Sequence, residues 1–145
     1  MVKFNDYLYK YGLHDTIVND ISMDNNKLIF CFNDGVYQLD ELGKETTLTS
    51  KCKMTISIDA LYTTSICQHI EIIQIVKRRI KEITYEDLVK QVNKSKLDVH
   101  FHFYSYFANT ILIEAYLETA LVLIKITEVN NINFSFQEKG KSINN

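Results

Sequence analysis

The stretch Leu97-Asp-Val-His-Phe-His-Phe-Tyr-Ser-Tyr-Phe107 decides the fold, because apolar residues occupy every second position along its first half. Successive side chains of a β-strand point to opposite faces, so this rhythm predicts a strand with one apolar and one amphipathic face. The residues predicted on the apolar face are Leu97, Val99, Phe101 and Phe103. The residues predicted on the opposite face are His100, His102, Tyr104 and Tyr106.

A second alternating stretch follows this strand. It places Ile111, Ile113, Ala115 and Leu117 on one face. Asn109 lies between the two stretches, and asparagine tolerates positive φ angles better than most residues do. We therefore predict a tight turn at Ala108-Asn109 and a long antiparallel hairpin over Leu97–Glu118.

Similar patterns predict strands along most of the chain. The first is predicted over Ile17–Met23. Asn33-Asp-Gly35 is predicted to join Lys27–Phe32 and Val36–Leu39 in a hairpin, because Asp-Gly supplies the positive φ angles of such a turn. In Ile66–Val76 the alternation changes phase, which predicts a β-bulge at Ile72-Ile73.

Two short helices and a late turn complete the prediction. Phe4–Gly12 is predicted to be helical, since Phe4, Leu8 and Tyr11 fall on one helical face. Thr84 is predicted to cap a second helix that ends near Asn93. Asn130-Asn131 is predicted to be a turn before the last strand.

These elements predict a mainly β (α+β) fold. We expect an antiparallel two-layer sandwich or a rolled barrel of about eight or nine strands with two short helices. Residues 1–145 are predicted to form a single domain, and residues 137–145 a frayed tail.

Composition and charge restrict the class of protein. The 145 residues are 46% hydrophobic and 23% charged, which is typical of a globular chain and not of a disordered one. No apolar run is long enough to span a membrane, and no signal-peptide pattern follows Met1, so we expect a cytoplasmic protein. The net charge of −2 and the short basic cluster Lys77–Lys81 do not predict nucleic-acid binding.

The pair His100 and His102 is the clearest chemical motif. Residues i and i+2 of a strand project from the same face roughly 6.5–7 Å apart, a spacing that lets two imidazoles bind one metal ion. Cupins resemble this chain in carrying His-x-His on a barrel strand, which implies a metal-dependent β-barrel enzyme. In cupins, however, a carboxylate and a further histidine follow, whereas here no histidine follows His102.

The alternative interpretation is a contact surface. Histidine and tyrosine side chains are rigid and amphipathic and suit a protein interface, so His100, His102, Tyr104 and Tyr106 are candidates for an interaction surface. Packing beneath another element is the other interpretation of the same row. No phosphate-binding loop, nucleophile elbow or zinc-protease motif occurs, and we predict no catalytic residues and no cofactor.

The segment Leu13-His-Asp-Thr-Ile17, followed by a strand and the Phe32-Asn-Asp-Gly-Val-Tyr37 turn, resembles small uncharacterised bacterial β-rich proteins. Some of these resemble immunity proteins encoded beside toxins. The resemblance covers the first third of the chain and implies a non-enzymatic protein that neutralises a protein partner by covering its surface. We therefore expect a protein-binding protein, with the metal-dependent enzyme as the alternative.

Overall fold

The computed structural model describes residues 10–59 and 66–137, together with the backbone of residues 3–4. This part of the chain forms fourteen strands, one α-helix and one 3-10 helix over Ile66–His69. The strands are β1 (Lys3–Phe4), β2 (Tyr11–Gly12), β3 (Thr16–Val18), β4 (Asp20–Asp24), β5 (Lys27–Phe32), β6 (Tyr37–Leu39), β7 (Glu45–Leu48), β8 (Cys52–Ile58), β9 (Ile70–Val76), β10 (Arg79–Ile83), β11 (Leu97–Ser105), β12 (Thr110–Leu117), β13 (Ala120–Ile126) and β14 (Val129–Phe136). The α-helix is α1 (Tyr85–Ser95).

The strands form three sheets. A six-stranded sheet has the order β10-β9-β13-β12-β11-β3, and a five-stranded sheet has the order β1-β14-β8-β5-β4. Strands β2, β6 and β7 form a small third sheet. The described pairs are antiparallel except for β1 and β14. The prediction of a mainly β, antiparallel fold is confirmed, but the described chain has fourteen strands instead of eight or nine and one α-helix instead of two.

The two large sheets bury side chains in one shared hydrophobic cluster. Phe30 and Ile56 of the five-stranded sheet, like Ile113 and Ile124 of the six-stranded sheet, are at most 1% exposed. Helix α1 packs against β4, β9 and β12, so it contacts both sheets. Removal of this apolar surface from water is the main favourable contribution to folding.

Two predicted elements are confirmed. Strands β11 and β12 pair as the predicted hairpin, but the four residues 106–109 connect them instead of a tight turn at Ala108-Asn109, and Asn109 has a φ of 48°. Helix α1 begins after Thr84, whose hydroxyl oxygen accepts a hydrogen bond from the Asp87 N–H at 3.1 Å. Such a cap satisfies one of the N–H groups that have no partner within the helix.

The predicted first helix is wrong at both of its ends. Lys3–Phe4 and Tyr11–Gly12 are strands, and residues 5–9 lie outside the described part of the chain. The ring of Tyr11 lies 5.0 Å from that of Phe134 and 4.9 Å from that of Phe136. These contacts with a distant strand outweigh a helical spacing that spans only a short segment.

The predicted first strand, Ile17–Met23, is two strands in two different sheets. The chain leaves the six-stranded sheet after β3 and enters the five-stranded sheet at β4. Between them, the Asn19 N–H donates to the Cys31 carbonyl at 2.8 Å, and the Asn19 Oδ1 accepts from the Asn33 N–H at 2.7 Å. The pattern of apolar residues does not reveal where a chain changes sheets, so the prediction missed this crossover.

Asp34-Gly35 forms a turn but not the predicted hairpin. Gly35 has a φ of 80°, and its N–H donates to the Phe32 carbonyl at 3.2 Å. The next strand, β6, pairs with β2 and β7 instead of β5. A Cβ atom at Gly35 would lie 2.2 Å from the Thr49 carbonyl oxygen, so glycine is required here by both φ and the close approach of another segment.

Two predicted irregularities are placed differently. Strand β9 pairs with both neighbours without a register shift, so the predicted bulge at Ile72-Ile73 is wrong. Ile72 is 1% exposed and Ile73 is 36% exposed, because this strand carries apolar residues on both faces. Asn130-Asn131 lies within β14, where the register shifts, and the preceding turn has its positive φ of 55° at Glu128.

The described chain ends at Gln137. Its N–H donates to the Lys51 carbonyl at 2.8 Å, and its carbonyl accepts from the Ser50 hydroxyl at 2.9 Å. The predicted frayed tail is therefore anchored at its first residue, and residues 138–145 lie outside the described part. Within the described ranges, no helix has the length and apolar character needed to cross a bilayer.

Candidate functional site

One extra residue in β11 reverses which side chains of that strand face the core. Val99 lies opposite Ala115 and Phe101 lies opposite Glu114, so His100 has no residue opposite it. This is a β-bulge, and it changes the phase of the strand by one position. Because side chains alternate with a period of two, every later side chain moves to the other face.

Burial follows this change of phase. Phe101 and Phe103 are 50% and 51% exposed, whereas Tyr104 is 3% exposed and His102 is turned towards the core. The two rows predicted for this strand are therefore wrong beyond Val99. Alternation along a single strand does not show an inserted residue, because a bulge depends on the partner strand.

The predicted interaction row divides in the same way. His100 and Tyr106 are exposed, and His102 and Tyr104 are not. The Tyr106 ring lies 5.3 Å from the Tyr104 ring in an edge-on arrangement. The four residues do not form one outward surface.

Two hydrogen bonds allow the inward side chains to be buried. The Nε2 atom of His102 accepts from the backbone N–H of Leu13 at 3.2 Å. The Tyr104 hydroxyl donates to the Asn109 Oδ1 at 3.3 Å. Buried polar atoms need such partners to offset the loss of water. The bulge places the polar atoms of His102 and Tyr104 within hydrogen-bonding distance of theirs.

Burial lowers the pKa of His102 to about 4, with a smaller contribution from His14. The imidazole is therefore neutral at neutral pH, and its Nε2 lone pair accepts the Leu13 hydrogen bond. A protonated ring would carry a hydrogen on that atom and could not accept. His102 thus has a structural role in this arrangement.

The predicted geometry for a metal ion shared by His100 and His102 is wrong. His100 lies on the exposed side, with its ring 5.8 Å from that of His14 and 5.9 Å from that of Tyr116. The His14 Nδ1 lies 3.2 Å from a carboxylate oxygen of Glu45. Among residues 10–59 and 66–137, no group of three or more His, Cys, Asp or Glu side chains is arranged to hold a metal.

The six-stranded sheet carries apolar side chains on the side away from the core, which we call the outer face. Strand register assigns to it Ile17, Ile73, Ile75, Ile80, Phe101, Phe103, Leu112, Tyr116, Leu121 and Leu123. Its charged residues are Glu71, Glu82, Asp98, Glu114 and Lys125. Seven of the apolar side chains are between 36% and 73% exposed.

The register aligns these side chains in rows across the strands. One row runs through Glu82, Ile73, Leu123, Glu114 and Phe101. The next row runs through Glu71, Lys125, Leu112 and Phe103. Directly opposite residues on neighbouring strands touch, so the apolar members form a continuous surface instead of isolated contacts.

A shallow depression of about 250 Å³ lies in the middle of the outer face. Ile73, Leu112 and Leu123 line it together with Glu114 and Lys125. The outer face continues along the hairpin to Phe107, which is fully exposed in the β11–β12 connection. The surface therefore combines a concave apolar centre with aromatic side chains on one side.

Lys125 and Glu114 differ in their pairing. The Lys125 Nζ lies 3.7 Å from a Glu71 carboxylate oxygen. Glu114 is half-buried and forms neither an ion pair nor a hydrogen bond with the residues that the structure describes. A carboxylate among apolar side chains loses water without gaining a cation in return.

The basic cluster Lys77–Lys81 lies at the β10 edge of the six-stranded sheet, opposite the edge formed by β3. Lys77 and Arg78 form the β9–β10 turn, with φ angles of 48° and 68°, and the charged side chains of the cluster are exposed. Lys77, Arg79 and Lys81 line an open cleft of about 610 Å³. As expected for a solvated strand end, these cations are in contact with water.

Sequence reasoning missed the outer face as a site. Its signal was present, because β13 and β9 contain runs of consecutive apolar residues that leave no polar side for water. Such runs are typical of strands buried on both faces. Here, within the described chain, one of the two faces is exposed.

Comparison with known proteins adds no relative. No family model, characterised protein or solved structure matches this chain.

Proposed function

We propose that this is a non-enzymatic binding protein that contacts a protein partner through the outer face of its six-stranded sheet. The exposed apolar surface around Phe101, Phe103 and Leu112 is the observation that supports this proposal. Monomeric proteins rarely expose large contiguous apolar surfaces, and those that exist usually mark contact sites.

The make-up of the surface also favours a protein partner. Phenylalanine and tyrosine are enriched in protein interfaces, and side chains that most often dominate binding energy cluster at the centre of such surfaces. Phe101, Phe103 and Tyr116 lie on neighbouring strands. We infer that the two large sheets stack as a sandwich, which holds these strands rigid and reduces the entropy lost on binding.

The resemblance to toxin-immunity proteins fits this proposal. A protein of that kind acts in the cytoplasm by covering a surface of its partner, and a rigid sheet with an apolar face can do so without any catalytic group. His102 has a structural role, since its Nε2 atom accepts a hydrogen bond from Leu13. The imidazole of His14 and the carboxylate of Glu45, which lie 3.2 Å apart, are exposed.

Photo-crosslinking tests the surface directly. We place benzoylphenylalanine at Phe103 and, as a matched control, at the exposed Ser135 of the five-stranded sheet, and irradiate cells that make the protein. We expect a discrete protein adduct from position 103 alone. Equal adducts from both positions, or none from position 103, would contradict the proposal.

The identity of the adduct tests the immunity-like role. We expect the captured protein to arrest growth when it is made alone and to be harmless when this chain is made with it. A captured partner that is harmless by itself would support binding but remove the immunity-like interpretation.

A further inference from the structure

The charges of the outer face suggest the chemistry of its partner. Glu114 lies between Phe101 and Leu123 in its row and lines the central depression. Lys125 also lines this depression, but its Nζ lies 3.7 Å from Glu71, and no described residue forms an ion pair with Glu114. An unpaired carboxylate in an apolar centre costs free energy in the isolated protein and is well placed to receive a positive charge.

We propose that the partner inserts an arginine or lysine side chain into this depression, where it pairs with Glu114 while apolar side chains cover the surrounding outer face. This inference rests on the proposed function, since it specifies what the same surface binds. The depression of about 250 Å³ has room for one long side chain. Arginine suits it best, because its planar group can bind a carboxylate with two hydrogen bonds and stack on an aromatic ring.

Aromatic side chains flank the depression on the β11 side. Phe101 lies opposite Glu114, and Phe103 lies opposite Leu112. A cation that pairs with Glu114 would therefore lie near the Phe101 side chain, and aromatic rings attract positive charge. The aromatic residues and the carboxylate favour the same ligand.

A second copy of this chain fits less well. The outer face carries four carboxylates, Glu71, Glu82, Asp98 and Glu114, and a single ammonium group at Lys125. In a two-fold dimer the same patch meets itself, so the excess of carboxylates over ammonium groups would be doubled within one interface. Like charges facing each other across an interface disfavour that pairing and favour a partner with a basic surface.

Selection from a random peptide library displayed on phage tests the proposal. We expect the wild-type protein to enrich peptides with an arginine or lysine flanked by apolar residues. Glu114→Gln keeps the shape of the side chain and should weaken binding of the selected peptide about tenfold or more and remove the preference for a basic residue. Glu82→Gln, at the rim of the same row, is the matched control and should bind the peptide within about twofold of wild type.

The free protein provides a second measurement. If Glu114 serves binding, Glu114→Gln leaves the melting temperature unchanged or raises it, because it removes an unpaired half-buried charge. A lowered melting temperature would show that Glu114 holds the sheet together, and would overturn the proposal.

The outcomes separate this inference from the proposed function. Enrichment of apolar peptides without a basic residue would overturn the cationic partner and retain the binding face. No enrichment, or peptides that bind equally well to the Phe101→Ser/Phe103→Ser variant, would overturn both. Sedimentation that shows a dimer abolished by Phe103→Ser would assign the face to a second copy and overturn the basic partner.

Discussion

The two large sheets share one core but present different surfaces on their far sides. Register places mostly polar residues on the far side of the five-stranded sheet, namely Asp20, Ser22, Lys27, Ile29, Cys31, Lys53, Thr55, Ser57, Asn133 and Ser135. The outer face of the six-stranded sheet carries mostly isoleucine, leucine and phenylalanine, together with five charged residues. Both sheets are stabilised by the apolar side chains that face the shared cluster. The difference between their far sides is therefore not a requirement of folding.

The comparison shows how a contact surface can be distinguished from a core. An apolar residue that faces the shared cluster stabilises the fold, whereas one on the outer face leaves apolar surface in water. The far side of the five-stranded sheet is mostly polar, which shows that this fold does not require apolar residues on the face of a sheet that points away from the core.

Phe30→Ala and Phe103→Ser should differ most in their effects on the free energy of unfolding. Phe30 is 1% exposed in the core, and its truncation should lower the free energy of unfolding by about 3–5 kcal/mol. Phe103 is 51% exposed, and its replacement should cost about 1 kcal/mol or less. Urea denaturation measures both values, and losses of equal size would show that the outer face belongs to the core.

The burial of His102 in β11 should make the free energy of unfolding depend on pH. The pKa of His102 is about 4 in the folded protein and near 6.5 when unfolded. Below pH 6.5 the unfolded chain binds a proton that the folded chain does not, so stability should fall by up to ~3 kcal/mol between pH 6.5 and pH 4.

His102→Gln isolates this contribution from other acid effects. Glutamine can still accept the Leu13 hydrogen bond but does not titrate, so the stability of the wild type relative to the variant should fall by up to ~3 kcal/mol as the pH is lowered from 6.5 to 4. Denaturation at several pH values measures it. Parallel curves for the two proteins would contradict the assignment of the pH dependence to His102.

An apolar dye should bind the outer face of the six-stranded sheet and not the far side of the five-stranded sheet. Replacement of Phe101, Phe103 and Leu112 by serine should reduce bis-ANS fluorescence severalfold, because these residues supply much of the exposed apolar area. The matched variant Ser57→Ala/Ser135→Ala alters the polar sheet and should leave the signal unchanged. Equal fluorescence from the serine variant and wild type would show that the dye binds elsewhere.

The ion pair between Lys125 and Glu71 should contribute least. Both side chains are about half exposed, so Lys125→Ala should change the free energy of unfolding by less than about 0.5 kcal/mol. Thermal melting in low salt checks this value. A loss above about 1.5 kcal/mol would mean that the charges of the outer face stabilise the sheet rather than tune its contacts.

Local patterns predicted the elements whose determinants lie within a short segment. The cap at Thr84 and the alternation of β12, with Ile111, Ile113, Ala115 and Leu117 buried, were both predicted from a few neighbouring residues. The bulge at His100 was not. The hydrogen bond that allows His102 to turn inward comes from Leu13, which is 89 positions away in the chain.

The candidate surface was missed for the same reason. The sequence drew attention to His100, His102, Tyr104 and Tyr106 as the chemically distinctive residues, and only the pairing of β11 with β12 shows that the neighbouring phenylalanines face outward instead. When a strand contains a bulge, its own pattern fixes neither which residues share a face nor which face is buried. Both depend on the neighbouring strands, and the sequence does not reveal the order of those strands.

The unpaired residue of β11 has a consequence for how such a surface can evolve. Loss of one codon at position 100 would remove the extra residue and leave Phe101, His102 and Phe103 opposite their present partners on β12, so the phenylalanines would stay outward. The bulge is therefore a place where the length of this strand can change by one residue without a change in the make-up of its exposed side.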